Sequence, residues 1–124
     1  MTSTVAVGLF GLLGVFSRYA LDRMVPVPGN GFPLSTFLVN VFGCLLVGVI
    51  FSLAERQIFS PQLSTALMVG FCGGFTTFSA YVLQSLTLYD RARFGMGLLY
   101  LVLSPLAGLL AALLPIFLSR RFFA

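Results

Sequence analysis

The sequence predicts an all-α membrane protein with four transmembrane helices, on the evidence of its composition and the spacing of its charges. Of 124 residues, 59% are hydrophobic and only 8% are charged, whereas a soluble domain carries about 25% charged residues. The mean hydropathy is +1.07. The stretches without Asp, Glu, Lys or Arg are residues 1–17, 24–54, 57–89 and 94–119. A spanning helix needs about 20 mostly apolar residues, so we predict one membrane domain over residues 1–124.

The four helices are placed at about residues 4–24, 35–53, 62–88 and 94–118. Residues 25–34 form a loop, because this segment holds three prolines and two glycines. The composition excludes a soluble enzyme and a nucleic-acid partner. The chain has no His, which also excludes nucleophile–His and zinc sites. Both cysteines, Cys44 and Cys72, lie in apolar spans and are interpreted as buried free thiols.

Arginine counting gives no clear orientation in the membrane. With four spans, the termini and the second loop share one side, which holds Arg56, Arg120 and Arg121. The other side holds Arg18, Arg23, Arg91 and Arg93. An excess of Lys and Arg on one side sets orientation, so a split of three against four predicts insertion both ways and an antiparallel dual-topology dimer. A fixed orientation, set by a factor that the count misses, is the alternative.

Neutral polar side chains are the only polar groups in the middle of the spans. Asn40 offers two N–H donors to an anion, or it forms a hydrogen bond between helices. Asp, Glu, Lys and His are absent at this depth, whereas proton-coupled pumps usually need an ionisable relay there. The pattern favours an anion pathway over a proton-driven one.

The third span contains a run that is a poor helix interior, Gly73-Gly74-Phe75-Thr76-Thr77. We predict a helix broken at mid-membrane, where freed carbonyls of Gly73 and Thr76 suit a monovalent cation. Close packing at the Gly70/Gly74 pair is a second interpretation, and the two are compatible. Phe78 and Tyr81 follow at i,i+3 and share a face, from which positive ring edges can line an anion path.

Taken together, these residues resemble the small bacterial fluoride channels of the Fluc/CrcB family over essentially the whole chain. The matching parts are Ser17-Arg18-Tyr19, residues 35–43 (STFLVNVFG), the highly specific run at 70–79 (GFCGGFTTFS), and Tyr100 with Ser104. The resemblance implies a multi-pass protein of the bacterial inner membrane, an antiparallel homodimer in lipid, and passive, selective fluoride export that protects against fluoride toxicity. It also implies that the protein is not an enzyme.

The resemblance also assigns roles to individual residues. It implies that the fluoride pore is lined by Asn40, Phe78, Tyr81, Ser79, Tyr100 and Ser104. It implies a structural sodium ion at the dimer centre, held by the backbone carbonyls of Gly73 and Thr76. Structural roles fall to Arg18, Gly74 and Thr77.

Two positions depart from the family's pattern. Tyr81 stands where the family usually has a second phenylalanine, and its hydroxyl either donates to fluoride or narrows the path. Gly108 stands where a further hydroxyl would extend the polar track. Tyr81 therefore raises the alternative of a partner-dependent subunit, non-conducting alone and paired with a paralogue. A small multidrug-type exporter is a second alternative, which the missing membrane carboxylate disfavours.

Overall fold

The computed structural model describes residues 2–91 and 93–122, and the predicted domain extends beyond these ranges at both ends. Over these ranges the chain forms helices and no strand. The α-helices are α1 (Thr2–Met24), α2 (Leu34–Glu55), α3 (Pro61–Thr65), α4 (Gly73–Phe75), α5 (Phe78–Asp90) and α6 (Phe94–Phe122). A π-helical segment, Ala66–Cys72, joins α3 to α4.

Within residues 2–91 and 93–122, four helical stretches are long and apolar enough to cross a membrane. They are Ser3–Met24, Leu34–Glu55, Pro61–Asp90 and Phe94–Phe122. The prediction of an all-helical protein with four spans is therefore confirmed. The last helix continues beyond its predicted end at residue 118, and the side chains of its final turns bind the end of α2. Arg120 forms an ion pair with Glu55 at 2.7 Å, and Arg56 donates to the Ser119 carbonyl at 2.7 Å.

The third span is interrupted, as predicted, but not at its paired glycines. Gly73 and Gly74 are helical in α4, and the backbone becomes extended at Thr76 (φ −78°, ψ 159°) and Thr77 (φ −148°, ψ 115°). β-Branched side chains favour extended backbone over helix. The interruption therefore follows the threonines of the run, and the glycines serve packing instead.

Helix α1 packs directly on the backbone of the third span. A Cβ atom placed on Gly14 would lie 2.2 Å from the Phe71 carbonyl oxygen, and one on Gly74 would lie 2.4 Å from the Gly11 carbonyl oxygen. Real Cβ atoms do not approach other atoms this closely. Small residues allow such backbone contact between helices in lipid. The close-packing interpretation of Gly74 therefore holds alongside the break.

At the opposite end of the helices, contacts hold the loop of residues 25–33 and the helix ends on either side of it. The Ser35 hydroxyl of α2 donates to the Asp22 carboxylate of α1, and the Arg93 guanidinium donates to the Asn30 carbonyl of the loop. Phe32 of this loop packs edge-on against Tyr100 with ring centroids 5.4 Å apart. The loop thus covers the end of the α5–α6 pair and fixes the surroundings of Tyr100.

Gly14→Ala should destabilise the fold, because the new methyl group would push α1 off the third span. Overpacking of this kind costs about 1–3 kcal/mol, so the thermal unfolding midpoint in detergent should fall. Gly8→Ala is the matched control in the same helix, since nothing lies within 4 Å of a Cβ there. Replacing that helical glycine should be neutral or stabilise by up to about 1 kcal/mol. Equal effects of the two substitutions would contradict this packing.

Candidate functional site

A cavity of about 370 Å³ lies at the break, between α2, the interrupted third span and α6, and it opens to one side of the chain. Seven of the eleven residues given a site role from the sequence line it: Asn40, Gly73, Thr76, Thr77, Phe78, Tyr81 and Ser104. Ser79, which is exposed, and Tyr100, which is fully buried, are outside the lining. The described residues that line the cavity include no Asp, Glu, Lys or Arg.

Asn40 supplies the hydrogen bonds that the interrupted backbone needs. Its side-chain oxygen accepts from the Thr77 amide at 2.8 Å, and its Nδ2 donates to the Thr77 carbonyl at 3.1 Å. Irregular backbone at membrane depth is tolerated only where protein or a cavity satisfies it. An amide NH₂ carries two hydrogens, so one N–H of Asn40, which lines the cavity, has no partner among the described residues. The two interpretations of Asn40, a link between helices and an anion donor, are thus compatible.

At the break, two backbone amides donate to side chains and not to the carbonyls that they would pair with in a continuous helix. The Thr77 amide, the ordinary partner of the Gly73 carbonyl, donates to Asn40. The Ala80 amide, the ordinary partner of the Thr76 carbonyl, donates to the Thr77 hydroxyl at 3.3 Å. Both carbonyls are therefore released from helical pairing, and Gly73 is exposed at this point of the span. Oxygen atoms of this kind are the ligands that hard cations prefer.

The residues assigned structural roles surround the same break. Arg18 of α1 points its Nε at the Gly74 carbonyl, at the limiting distance of 3.5 Å. Thr77 begins α5, since its hydroxyl accepts from the Ala80 amide. Gly74 meets the backbone of Gly11, as described above. All three groups hold the ends of α4 and α5 in place.

Ser104 lacks the hydrogen bond that several hydroxyl residues of the helices make to their own backbone. It is 7% exposed, and its Oγ has no hydrogen-bond partner among the described residues. The usual alternative is donation to the carbonyl four residues earlier, which is made by Ser52, Thr65, Thr76, Ser85 and Thr87. Ser64 is the other buried hydroxyl without a partner in the described chain, but it does not line the cavity. The Ser104 hydroxyl thus lies beside Tyr100 at the cavity wall and makes no hydrogen bond of standard geometry.

The two aromatic residues after the break have different surroundings. Phe78 is 77% exposed, whereas Tyr81 is 8% exposed, and their ring centroids are 5.6 Å apart. They lie side by side, as the i,i+3 spacing predicts. The Tyr81 hydroxyl donates to the Leu101 carbonyl of α6 at 2.6 Å. This contact was not anticipated from the sequence analysis, which expected the hydroxyl either to donate to fluoride or to narrow the path.

A partly buried chain of polar side chains links Tyr100 to α2 through Gln84, a residue that the sequence interpretation gave no role. The Tyr100 hydroxyl donates to Gln84 Oε1 at 3.0 Å, and Gln84 Nε2 donates to the Thr36 hydroxyl at 2.8 Å. Gln84 lies one helical turn after Tyr81, on the same face of α5. That spacing was the available signal for placing Gln84 and Thr36 beside the candidate pore residues.

Comparison with known proteins identifies the family to which this sequence belongs. The model of a family described as "CrcB-like protein, Camphor Resistance (CrcB)" matches residues 5–116. The chain belongs to the CrcB family. The match covers the second and third spans, most of the first and last, and every candidate site residue.

Relatives of this CrcB chain extend over nearly the full length. A protein of Chlorobium phaeobacteroides (strain BS1) named "Fluoride-specific ion channel FluC" is 39% identical over 105 residues, covering 84% of this chain and 82% of the relative. One of the same name from Bacteroides fragilis is 37% identical over 126 residues, covering 98% and 99%. A Geobacillus kaustophilus protein named "Fluoride-specific ion channel FluC 2" is 38% identical over 112 residues.

Asn40→Ala should destabilise this CrcB chain, because it leaves the Thr77 amide and carbonyl without partners inside the span. Unsatisfied buried polar groups cost about 1–3 kcal/mol, so the thermal midpoint in detergent should fall. Ser52→Ala is the control in the same helix. The Ser52 hydroxyl adds a bond to the Gly48 carbonyl, which is already part of the helix, and its loss should cost under about 1 kcal/mol. A smaller loss for Asn40→Ala than for Ser52→Ala would contradict the pairing.

Proposed function

We propose that this chain is a fluoride-selective ion channel that exports fluoride passively across the bacterial cytoplasmic membrane and protects the cell from fluoride toxicity. Membership of the CrcB family supports this, as do relatives named fluoride-specific ion channels over most of both chains. The four spans support a multi-pass membrane protein. A channel converts no substrate, so the protein is not an enzyme.

The observation that carries the proposal is a pair of donors in a cavity without charge. The Ser104 hydroxyl makes no hydrogen bond of standard geometry, the second N–H of Asn40 has no partner among the described residues, and both residues line the same cavity. Donors without a fixed cation attract an anion but do not trap it. Conduction requires this balance, since the ion must leave as readily as it enters.

Selectivity follows from the width of the path and from the groups along it. Fluoride is small and strongly hydrated, so the wall must replace its water shell. We assign donation to the Asn40 N–H and the Ser104 hydroxyl, and we assign the ring edges of Phe78 and Tyr81 to the wall. Of the other predicted donors, the Tyr100 hydroxyl donates to Gln84, and Ser79 lies outside the cavity lining. Ring edges are electropositive and hold an anion weakly. Larger halides are excluded by the narrow path.

The direction of transport needs no pump. In acidic surroundings, fluoride enters the cell as neutral HF, which ionises in the less acidic interior. The membrane potential acts on a charge with about 2.3 kcal/mol per 100 mV, and a negative interior drives the anion outward. An open selective path is therefore enough for export.

A second copy in inverted orientation would complete the path. Phe78, Gly73 and Ser79 are exposed in the middle of the third span, and the cavity is open on this side. The near-even split of arginines supports insertion in both orientations. We therefore propose an antiparallel, dual-topology homodimer with a two-fold axis in the membrane plane, the two-chain equivalent of an inverted repeat.

A structural sodium ion fits the centre of such a dimer. The carbonyls of Gly73 and Thr76 are released from helical pairing by the break, and oxygen donors suit a hard cation. These two residues from each copy would hold the ion. When bound, it would supply positive charge that neutralises the exposed carbonyl oxygens.

Fluoride efflux from liposomes containing only this purified chain tests the function. We expect rapid loss of fluoride and no loss of chloride. Asn40→Asp should abolish fluoride efflux, because a carboxylate replaces an N–H donor with negative charge. Phe78→Ile should abolish it too, since the ring edge is lost. An exposed ring contributes little to the fold, so the Phe78 variant remains informative if the Asn40 variant unfolds.

Controls separate a pore defect from a folding defect. Ser104→Ala should slow efflux by about fivefold, the equivalent of one ordinary hydrogen bond. Ser52→Ala removes a buried hydroxyl that does not line the cavity and should leave efflux unchanged. Each variant is first checked for its elution as a dimer. Wild-type efflux in either Asn40→Asp or Phe78→Ile would contradict the pore assignment.

Sodium dependence of stability tests the proposed ion. Replacing sodium with N-methyl-D-glucamine at constant ionic strength should lower the thermal midpoint of the dimer. At a sodium concentration about 100 times the Kd, the bound ion adds about 2.7 kcal/mol. Potassium at the same concentration serves as the cation control. A midpoint that does not change with sodium would contradict the site.

The alternatives predict other outcomes of the same experiments. A subunit that needs a paralogous partner would fold and dimerise without passing fluoride, and the number in the name "FluC 2" is compatible with paired copies in one organism. Co-reconstitution with that partner would restore efflux. A small multidrug-type exporter would show proton-driven transport of a cationic drug, and the uncharged cavity disfavours it.

A further inference from the structure

Pro105 leaves one backbone carbonyl of α6 without its helical partner. Proline has no N–H, so a proline inside a helix leaves the carbonyl four residues earlier unpaired. For Pro105 this carbonyl belongs to Leu101, inside the fourth span. An unpaired carbonyl in a membrane needs another donor from the protein or from water.

The Tyr81 hydroxyl is that donor. It lies 2.6 Å from the Leu101 oxygen, a short distance for a neutral O–H···O bond. Tyr81 comes from α5, so the bond joins two helices at the point where α6 lacks its own bond. The ring of Tyr81 packs on Tyr100, with centroids 5.3 Å apart, and this contact holds the hydroxyl in place.

Tyr81 and Pro105 both line the cavity assigned above to the anion path. An unpaired carbonyl oxygen next to that path would repel an anion and attract water. We infer that Tyr81 and Pro105 act as a coupled pair, in which the Tyr81 hydroxyl screens the carbonyl released by Pro105 and leaves the ring, not the hydroxyl, for the anion. Tyr81 is thus a positioning residue, and a tyrosine is suited to this site because of the proline on α6. The effect on transport rests on the proposed fluoride channel, whereas the pairing itself does not.

The second proline of α6 provides a matched comparison. Pro115 also lacks an N–H, and it lies away from Tyr81, against the α2 residue Gly48. Pro115→Ala therefore repeats the chemical change of Pro105→Ala without touching the Leu101 carbonyl. Any coupling to Tyr81 should be specific to Pro105.

A double-mutant cycle on the thermal midpoint tests the pair. Tyr81→Phe should lower the midpoint by about 4 °C, because one buried hydrogen bond is lost. In the Pro105→Ala background the new amide pairs with Leu101, so Tyr81→Phe should have little effect. In the Pro115→Ala background it should retain its full effect. If Pro105→Ala fails to fold, Pro105→Leu supplies the same backbone amide.

Fluoride efflux gives a readout that a purely structural contact would not change in the same way. Tyr81→Phe should slow efflux several-fold, and Tyr81→Phe combined with Pro105→Ala should recover it, although the hydroxyl is still missing. Efflux as slow in the double variant as in Tyr81→Phe would overturn the inference and make the hydroxyl an anion donor. Equal losses of midpoint in all backgrounds would overturn the pairing. A wild-type chain that passes no fluoride would refute the proposed function, and the midpoint cycle would still decide the pairing.

Discussion

The backbone at Thr76 and Thr77 must find hydrogen-bond partners inside the membrane, and the rest of the site depends on how it does so. The side-chain amide of Asn40 pairs with both the backbone amide and the backbone carbonyl of Thr77, because it has the donor and acceptor pattern of a peptide group. This makes an interruption in the third span tolerable without water. The same pairing releases the Gly73 carbonyl, exposes Phe78 beside the cavity and fixes α5 against α2.

The sequence was sufficient for the spans but not for the position of the break. Charge-free stretches identify four helices because lipid demands about 20 apolar residues from each. Gly73 and Gly74 indicated correctly that the helix is interrupted within residues 73–77, yet both glycines are helical. The missing side chain of Gly74 instead allows close contact with α1. Local propensity could not show that Asn40, a distant residue in the sequence, would select Thr77.

The sequence predicted most of the residues that form the site, but it did not predict which hydrogen bonds they make. Seven of the eleven residues given a site role from the sequence meet at one cavity, whereas Ser79 and Tyr100, which were also assigned to the pore, lie outside its lining. The Tyr81 hydroxyl was expected to donate to the anion or to narrow the path, whereas in the structure it donates to the Leu101 carbonyl. Residue types specify which hydrogen bonds are available, but the choice among acceptors depends on which carbonyls the neighbouring helices leave unpaired.

The π-helical segment Ala66–Cys72 places a constraint on chain length. A π-turn accommodates one residue more than the α-helix around it. Deleting one residue there would let the span continue as a regular α-helix with α3 and α4 in nearly the same relative rotation, because the π-turn is what absorbs the extra residue. A further inserted residue that no π-turn absorbs would rotate α3 relative to α4 by about 100°. Helix α3 would then lose its contacts with α1 and α2, while Gly74 kept its place on α1. This segment should therefore tolerate the loss of one residue better than the gain of one.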